Sequence, residues 1–117
     1  MAENQQSVLV VDDEPSLRLL CRVNLELEGY RVLEAATVEA AHDLLARETV
    51  DVVLLDMHIG SGSGLDVLEV IETKGLPVRV VVLSGTSEIT PELRARADHV
   101  LGKPFGLEEL SAAVAGP

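Results

Sequence analysis

The sequence predicts a single α/β domain built on a five-stranded parallel sheet with helices on both of its faces. Short, unbroken apolar runs rich in Val and Leu, such as residues 52–55, are typical of strands buried on both faces of a parallel sheet. Each run alternates with a helical pattern through a short connection, which predicts right-handed βαβ units. The 117 residues are enough for one such domain.

The order of patterns along the chain predicts five strands and five helices. The strands are expected at residues 7–11, 31–35, 51–56, 78–83 and 99–101. The helices are expected at residues 15–28, 38–48, 65–73, 91–97 and 107–115. The fourth helix is under two turns long and is therefore shortened. Residues 57–64 and 85–89 are predicted to be loops, because glycine interrupts both patterns.

The apolar face of the first helix is predicted from its 3.6-residue spacing, with Pro15 at the first helical position and Gly29 just beyond the last turn. The residues expected on this face are Leu17, Leu20, Cys21 and Leu27. Asn24 falls on the same side without an evident reason. The second and fourth helices are each expected to begin after a capping threonine, Thr37 and Thr90.

The composition of the chain argues against several kinds of partner and binding site. A net charge of −11 argues against direct binding to nucleic acid or to an anionic membrane, because both require a basic face. With Cys21 alone and the histidines scattered, neither an internal disulfide nor a Cys/His metal site is supported. There is no signal-peptide pattern and no apolar run of membrane-spanning length, which indicates a cytoplasmic protein. Residues 1–6 are expected to form a disordered N-terminal segment before a domain at residues 7–115.

Polar residues end four of the predicted strands. Asp12 and Asp13 follow the first, Asp56 ends the third, Ser84 follows the fourth and Lys103 follows the fifth. Open α/β sheets bind ligands at the carboxyl edge of their strands, so these side chains are expected to converge there. Taken singly, the acidic pair is equally well explained as a helix cap, and the other two as a surface lysine and a turn serine.

The convergent set suggests phosphoryl chemistry. Three carboxylates in one cleft repel each other, and a divalent cation relieves that repulsion; all-oxygen ligands suit Mg²⁺. A carboxylate such as Asp56 can attack phosphorus to form an aspartyl phosphate. Phosphoryl transfer asks a protein mainly for positioning and charge neutralisation, which the amine of Lys103 and the hydroxyl of Ser84 would supply.

These motifs resemble those of the receiver domain of two-component response regulators, and the resemblance covers essentially the whole chain. The matching residues are the acidic pair Asp12 and Asp13, the phosphoacceptor Asp56, Gly64 eight residues later, Ser84, and the Lys103-Pro104-Phe105 motif. The resemblance implies a flavodoxin-like fold with strand order 2-1-3-4-5. It also implies that Asp56 accepts a phosphoryl group from a bacterial sensor histidine kinase or a histidine phosphotransfer protein, and loses it slowly to water.

The resemblance carries further expectations about the site and its partners. It implies that Asp13, Asp56 and the backbone carbonyl of His58 bind Mg²⁺, that Asp12 assists through water, and that the Lys103–Pro104 bond is cis. A homodimer through the face formed by helix four, strand five and helix five is a further expectation. Phosphotransfer and autodephosphorylation are self-catalysed, so the domain is not a conventional enzyme.

Four features depart from the family pattern and keep alternatives open, one of them the short span from Ser84 to Lys103, which is consistent with the shortened fourth helix. Gly60 stands where proline is usual, which predicts a looser loop after Asp56. Val100 replaces the usual Tyr or Phe, which favours an interaction module with weakened or lost switching. His58 occupies a variable position that tunes phosphoryl lifetime in the family, or is simply a solvated loop residue. A Mg²⁺-dependent phosphohydrolase resembling the haloacid dehalogenase group would need an acid at that position.

Overall fold

The computed structural model describes residues 5–85 and 89–116 of the chain. Seven strands and five helices follow one another in this part of the chain. They are β1 (Ser7–Val11), α1 (Pro15–Leu27), β2 (Arg31–Ala35), α2 (Val38–Arg47), β3 (Val52–Asp56), β4 (His58–Ile59), β5 (Gly62–Ser63), α3 (Gly64–Lys74), β6 (Arg79–Ser84), α4 (Pro91–Arg96), β7 (His99–Gly102) and α5 (Leu107–Ala115). The predictions for residues 1–4 and for the middle of the 85–89 loop lie outside the described residues.

Five of the strands form one parallel sheet in the order β2-β1-β3-β6-β7. Since β6 and β7 are the fourth and fifth predicted strands, the expected order 2-1-3-4-5 is confirmed. All five residues of both β1 and β3 are buried, as their unbroken apolar sequences predict. The central strand β3 ends at Asp56, so this carboxylate emerges between β1 and β6.

Alternate residues of each strand feed two separate core layers. In β1, Leu9 and Val11 join the layer covered by α2, α3 and α4, while Val8 and Val10 join the layer covered by α1 and α5. The sheet is therefore sandwiched between helices, as expected. Burying one such aliphatic side chain contributes about 1.5–3 kcal/mol. The core is therefore built mainly from aliphatic side chains in a chain that has one Phe, one Tyr and no Trp.

The predicted apolar face of α1 is wrong in part. Cys21 is fully buried and Leu17 packs against the core, but Leu20 is 41% exposed and Leu27 is 81% exposed. The core stripe runs through residues 17, 21 and 25, and at 3.6 residues per turn Leu20 and Leu27 lie about 100–120° away from its centre. The positions of the leucines alone therefore predicted part of the buried face wrongly. The helix α1 also carries a second apolar face, which is exposed. We call this face the α1 stripe; it comprises Leu19, Leu20, Val23 and Leu27.

Residues 57–64 were predicted to form a loop, but they contain an antiparallel hairpin of β4 and β5. Gly60 has φ +60° at the first turn position, and Ser61 has a negative φ, which is the sign pattern of a type II′ turn. Ile59 is buried, and a Cβ on Gly62 would lie 2.8 Å from the Val38 side chain. The hairpin is thus packed against the start of α2.

The helix caps agree with the sequence. The hydroxyl of Thr37 accepts the Ala40 N–H at 3.0 Å, and that of Thr90 accepts the Leu93 N–H at 3.1 Å. The Asn24 side chain, unexplained by its position in the sequence, donates to the Leu20 carbonyl one turn earlier. Among the described residues, no helix is both long enough and apolar enough to span a bilayer.

Candidate functional site

The polar residues predicted at strand ends meet at the carboxyl edge of the sheet. Asp12 follows β1, Asp56 is the last residue of β3, Ser84 is the last residue of β6, and Lys103 directly follows β7. Strand pairing fixes this convergence, because Asp56 is level with Leu83 and Ser84 is level with Gly102. The site therefore draws on four strands that are adjacent in space and distant in sequence.

Three carboxylates form the acidic part of the site. Asp12, Asp13 and Asp56 each place one oxygen within 4.8 Å of the others. Asp12 is fully buried and Asp56 is 7% exposed, whereas Asp13 lies at the surface. Asp12 and Asp56 thus form the buried side of the cluster, whereas the side of Asp13 is open to solvent and accessible to a ligand.

Lys103 supplies the positive charge of the site. Its Nζ donates to Asp12 Oδ2 at 2.9 Å and lies 3.5 Å from Asp56 Oδ1. Burial alone would lower the pKa of the Lys103 ammonium, but the hydrogen bond and charge of Asp12, together with Asp56, outweigh burial and raise it. Lys103 is therefore held in its charged form between two carboxylates.

The electrostatics of Asp56 run against ionisation. Burial of the carboxyl raises its pKa above the ordinary value, and the negative charge of Asp12 raises it further. Lys103 and the backbone N–H of His58, which donates to Asp56 Oδ1 at 3.4 Å, oppose this effect without cancelling it. A bound cation would favour the ionised carboxylate.

Backbone contacts hold Asp12 in place. Its Oδ1 accepts the Glu14 N–H at 2.9 Å, while Nη1 of Arg18 donates to its carbonyl oxygen at 2.8 Å. The N-cap residue of α1 is Glu14, which makes no side-chain cap bond, so neither aspartate acts as the N-cap. Asp12 Oδ1 does accept a backbone N–H at the start of α1, which is the part of the capping alternative that holds. Asp12 Oδ2 instead accepts a hydrogen bond from Lys103. The contribution of Arg18 was missed from sequence, because it depends on how α1 packs on β1.

Ser84 and Lys103 are joined through the backbone. The N–H of Lys103 donates to the carbonyl of Ser84 at 2.9 Å, which extends the pairing of β6 and β7 by one residue. Ser84 is 1% exposed, and its hydroxyl donates to the Gly85 carbonyl at 3.2 Å. The Lys103–Pro104 bond is cis, as predicted.

Gly64 allows α3 to begin against the end of β3. A Cβ at this position would lie 2.3 Å from the backbone oxygen of Asp56 and 2.7 Å from Met57. Both distances are too short for any side chain, so only glycine permits this approach. The Gly64 N–H also donates to the Met57 carbonyl at 3.0 Å, which fixes the backbone just after Asp56.

Asp13 is held by a contact that the sequence analysis did not predict. Its Oδ2 accepts the backbone N–H of Gly60 at 2.9 Å, which links the acidic pair to the hairpin 47 residues later. Gly60-Ser61 is a recognised type II′ turn signal and could have revealed the hairpin. The hydrogen bond from Gly60 to Asp13 depends on tertiary packing and cannot be predicted from the local sequence.

The donor set fits a hard divalent cation. The acidic cluster offers only carboxylate oxygens, is open on the Asp13 side and carries more negative charge than Lys103 neutralises. Oxygen ligands with remaining water positions are the environment that Mg²⁺ prefers. The participation of the His58 backbone carbonyl stays a prediction.

Comparison with known proteins gives the class and then the family. The fold is that of flavodoxin-like α/β domains, and residues 8–115 match the family model described as the response regulator receiver domain. The chain belongs to this family of signalling modules from two-component systems.

Individual relatives agree with this assignment. The chain is 40% identical over 108 residues to the transcriptional regulatory protein KdpE of Mycobacterium tuberculosis; the match covers 90% of the chain and 47% of KdpE. The chain therefore spans about half the length of that curated relative.

Two solved structures that are similar to this chain contain bound groups. The response regulator TrrA of Thermotoga maritima, solved in complex with Mg²⁺-BeF, is 30% identical with a TM-score of 0.83; the match covers 92% of this chain and 94% of that one. A Burkholderia pseudomallei response regulator with a phosphorylated aspartic acid, a calcium ion and citrate is 27% identical with a TM-score of 0.81; the match covers 94% of this chain and 66% of that one.

Proposed function

We propose that this domain accepts a phosphoryl group on Asp56 from the phosphohistidine of a sensor histidine kinase or a histidine phosphotransfer protein. The observation that carries the proposal is the surplus of carboxylates around Asp56, where three acids face one lysine. In the transfer, a carboxylate oxygen of Asp56 bonds to phosphorus as the P–N bond to the donor histidine breaks. The bonding pair leaves with the imidazole nitrogen, so no additional reactant is required.

The ligands proposed for Mg²⁺ are Asp13, Asp56 and the backbone carbonyl of His58, with Asp12 assisting through water. When bound, the cation would neutralise charge on the carboxylates and on the phosphoryl oxygens. Asp12 has a separate role in the metal-free protein, since it fixes the Lys103 ammonium within reach of Asp56. The positive charge of Lys103 is thereby already placed on one side of Asp56 before any Mg²⁺ binds.

Lys103 and Ser84 are proposed to receive the phosphoryl oxygens. The Lys103 ammonium acts as a point charge beside Asp56, and the Ser84 hydroxyl lies at the end of the next strand. The Lys103 N–H donates to the Ser84 carbonyl, so the two residues are held side by side. Slow loss of the phosphoryl group to water completes the proposed cycle, and the chain acts as a signalling module that catalyses its own modification.

The α1 stripe supports docking of a helical phosphodonor. Its four apolar side chains lie on α1, whose amino end begins three residues after Asp12, so a partner helix lying along the stripe would have one end near the acidic pair. Exposed apolar patches of this kind mark interaction sites on otherwise polar surfaces. A homodimer would instead use the face formed by α4, β7 and α5, and direct contact with nucleic acid is not proposed because of the net charge of −11.

The alternative function is an interaction module of receiver fold whose switching is weakened. Val100 is half-buried on β7 and packs against the core layer that contains Leu93 of the shortened α4. A valine has no ring to move between a surface and an interior position. The phosphohydrolase alternative is disfavoured, because His58 stands where that chemistry needs an acid.

The test is intact mass spectrometry of the protein after incubation with Mg²⁺ and a small-molecule phosphodonor such as acetyl phosphate. The parent is expected to gain the mass of one phosphoryl group, and Asp56→Asn is expected to gain none. Equal labelling of the Asn variant would show that the acceptor is another residue. Absence of labelling in the parent, with donor and Mg²⁺ in excess, would favour the interaction module.

A further inference from the structure

The hairpin of β4 and β5 reaches across the carboxyl edge to the acidic pair. At its tip, the backbone N–H of Gly60 donates to Asp13 Oδ2 at 2.9 Å. Asp13 is exposed, and of the three clustered acids it lies furthest from the sheet interior. A side chain in this position ordinarily samples several rotamers, and ordering it for ligand binding costs conformational entropy.

The hairpin is itself anchored, so the donor has a fixed position. Ile59 is 3% exposed, Gly62 packs against Val38 at the start of α2, and Gly64 packs on the backbone of Asp56. The tip between these anchors is held by the type II′ turn at Gly60. The N–H that meets Asp13 therefore belongs to the packed segment that directly follows Asp56.

Only a residue with an N–H and access to positive φ can make this contact. Gly60 has φ +60°, and proline has neither the N–H nor that backbone angle. The hydrogen bond to Asp13 uses only the backbone of residue 60, but a proline at this position could not form it. A Cβ at Gly60 would meet nothing within 4 Å, so the space around the turn does not itself demand glycine.

We propose that the backbone N–H of Gly60 is a positioning group that pre-orders the Asp13 carboxylate for divalent cation binding. The inference rests on the proposed cation site. The N–H occupies one oxygen of Asp13, and the other oxygen can bind a cation; a carboxylate commonly serves a donor and a cation at once. Gly60 thus offsets part of the ordering cost before the cation arrives. Its replacement of the usual proline exchanges a stiff turn for a hydrogen-bond donor.

The test compares Mg²⁺ affinity, measured by calorimetry without any phosphodonor, in four backbone and side-chain variants. Gly60→Pro removes the N–H but also disturbs the turn, and Gly60→Asn keeps the N–H and tolerates positive φ. An ester in place of the Ile59–Gly60 amide, introduced by semisynthesis, removes the N–H alone. A matching ester at Ser61 is the control for ester chemistry in the same turn. Urea unfolding in metal-free buffer reports whether each variant keeps its fold.

The ester at Gly60 is expected to weaken Mg²⁺ binding by up to roughly tenfold, or about 1.4 kcal/mol, the upper end of the cost of ordering one side chain. The Ser61 ester should bind as the parent does, and Gly60→Asn should bind more tightly than Gly60→Pro. Unchanged or tighter binding in a folded Gly60 ester would overturn the inference, because the N–H would then be idle or compete with the cation. Asp13→Ala separates this failure from that of the proposed function: if the parent binds no Mg²⁺, or Asp13→Ala binds it equally well, the cation site itself is wrong.

Discussion

The two edges of the sheet both carry charged side chains, but they balance those charges differently. At the amino edge, the amino-edge cluster consists of Ser7, Arg31, Glu48 and Asp51. Asp51 accepts the Ser7 N–H at 2.8 Å, and Arg31 pairs with Glu48. Each acid in this cluster has its own donor, and the Arg31–Glu48 pair is partly exposed. Such contacts tie strands and helices together and call for no ligand.

The carboxyl-edge cluster of Asp12, Asp13, Asp56 and Lys103 has no such balance. Three carboxylates share a single ammonium, and two of the three are buried. Burial and the charge of Asp12 raise the pKa of Asp56, so the fold disfavours the ionised form of this carboxyl. We infer from this difference that buried carboxylates sharing one cation mark the candidate functional edge, whereas acids that each have their own donor mark a structural one.

The strongest disturbance of the carboxyl edge is expected from Gly64→Ala. The added methyl would collide with the Asp56 backbone oxygen, so the backbone under the cluster must move. We expect a loss of about 3 kcal/mol in the free energy of unfolding, measured in urea. Gly102→Ala is the control, because its Cβ would meet nothing within 4 Å, and it should cost under about 1 kcal/mol. Similar losses in the two variants would mean that the close approach is not a constraint.

Removing one cation from each edge tests the imbalance directly. Lys103→Ala leaves the buried Asp12 carboxylate without its ammonium partner, and we expect a cost of about 2 kcal/mol. Arg31→Ala removes a cation that is 44% exposed, and its cost should be under about 1 kcal/mol. Both are measured by urea unfolding in metal-free buffer at low salt. Equal costs at the two edges would contradict the contrast between them.

Neutralising one acid at each edge should have opposite effects. Because the folded state raises the pKa of Asp56, this group favours folding below the ordinary carboxyl pKa, and that contribution is lost as pH rises through the raised value. At neutral pH and without metal, Asp56→Asn is therefore expected to be more stable than the parent. The gap should close on acidification to about pH 4 and below. Asp51→Asn should instead cost up to about 1 kcal/mol, since it weakens the bond from the Ser7 N–H.

Those two variants are compared by thermal unfolding across pH 3 to pH 8. A parent that is more stable than Asp56→Asn at neutral pH would show that the surplus charge is already compensated in the metal-free protein.

The smallest effect is expected at β7. Val100 is stiff at χ1 and already half-buried, so phosphorylation has no ring to relocate there. Hydrogen exchange should change near Asp56 and Ser84 on addition of beryllofluoride and Mg²⁺, and should change little in β7 and α5. Val100→Tyr is expected to extend the change into β7. Strong protection changes across β7 in the parent would show that this face switches without an aromatic side chain.

The sequence pattern predicted the parallel sheet and the convergence of Asp12, Asp56, Ser84 and Lys103, because buried parallel strands have unbroken apolar sequences and their ends share one edge. The strand order was implied by the resemblance to receiver domains. The sequence pattern failed where the outcome depends on packing between elements. The face of α1 was misplaced because leucines lie all around that helix, and only contact with the sheet selects residues 17, 21 and 25. The bond between Gly60 and Asp13 joins a turn to a distant strand end, and no local pattern encodes it.

The most direct test of the contrast between the edges is the backbone amide spectrum of the parent protein as Mg²⁺ and then beryllofluoride are added. The shifts are expected to concentrate on residues 12–13, 56–64, 84–85 and 103, with the Gly60 amide among those that move. Residues 7, 31, 48 and 51 of the amino-edge cluster should stay unchanged. Shifts of equal size at both edges, or none at the carboxyl edge with Mg²⁺ and beryllofluoride in excess, would contradict the assignment of the unbalanced cluster as the functional site.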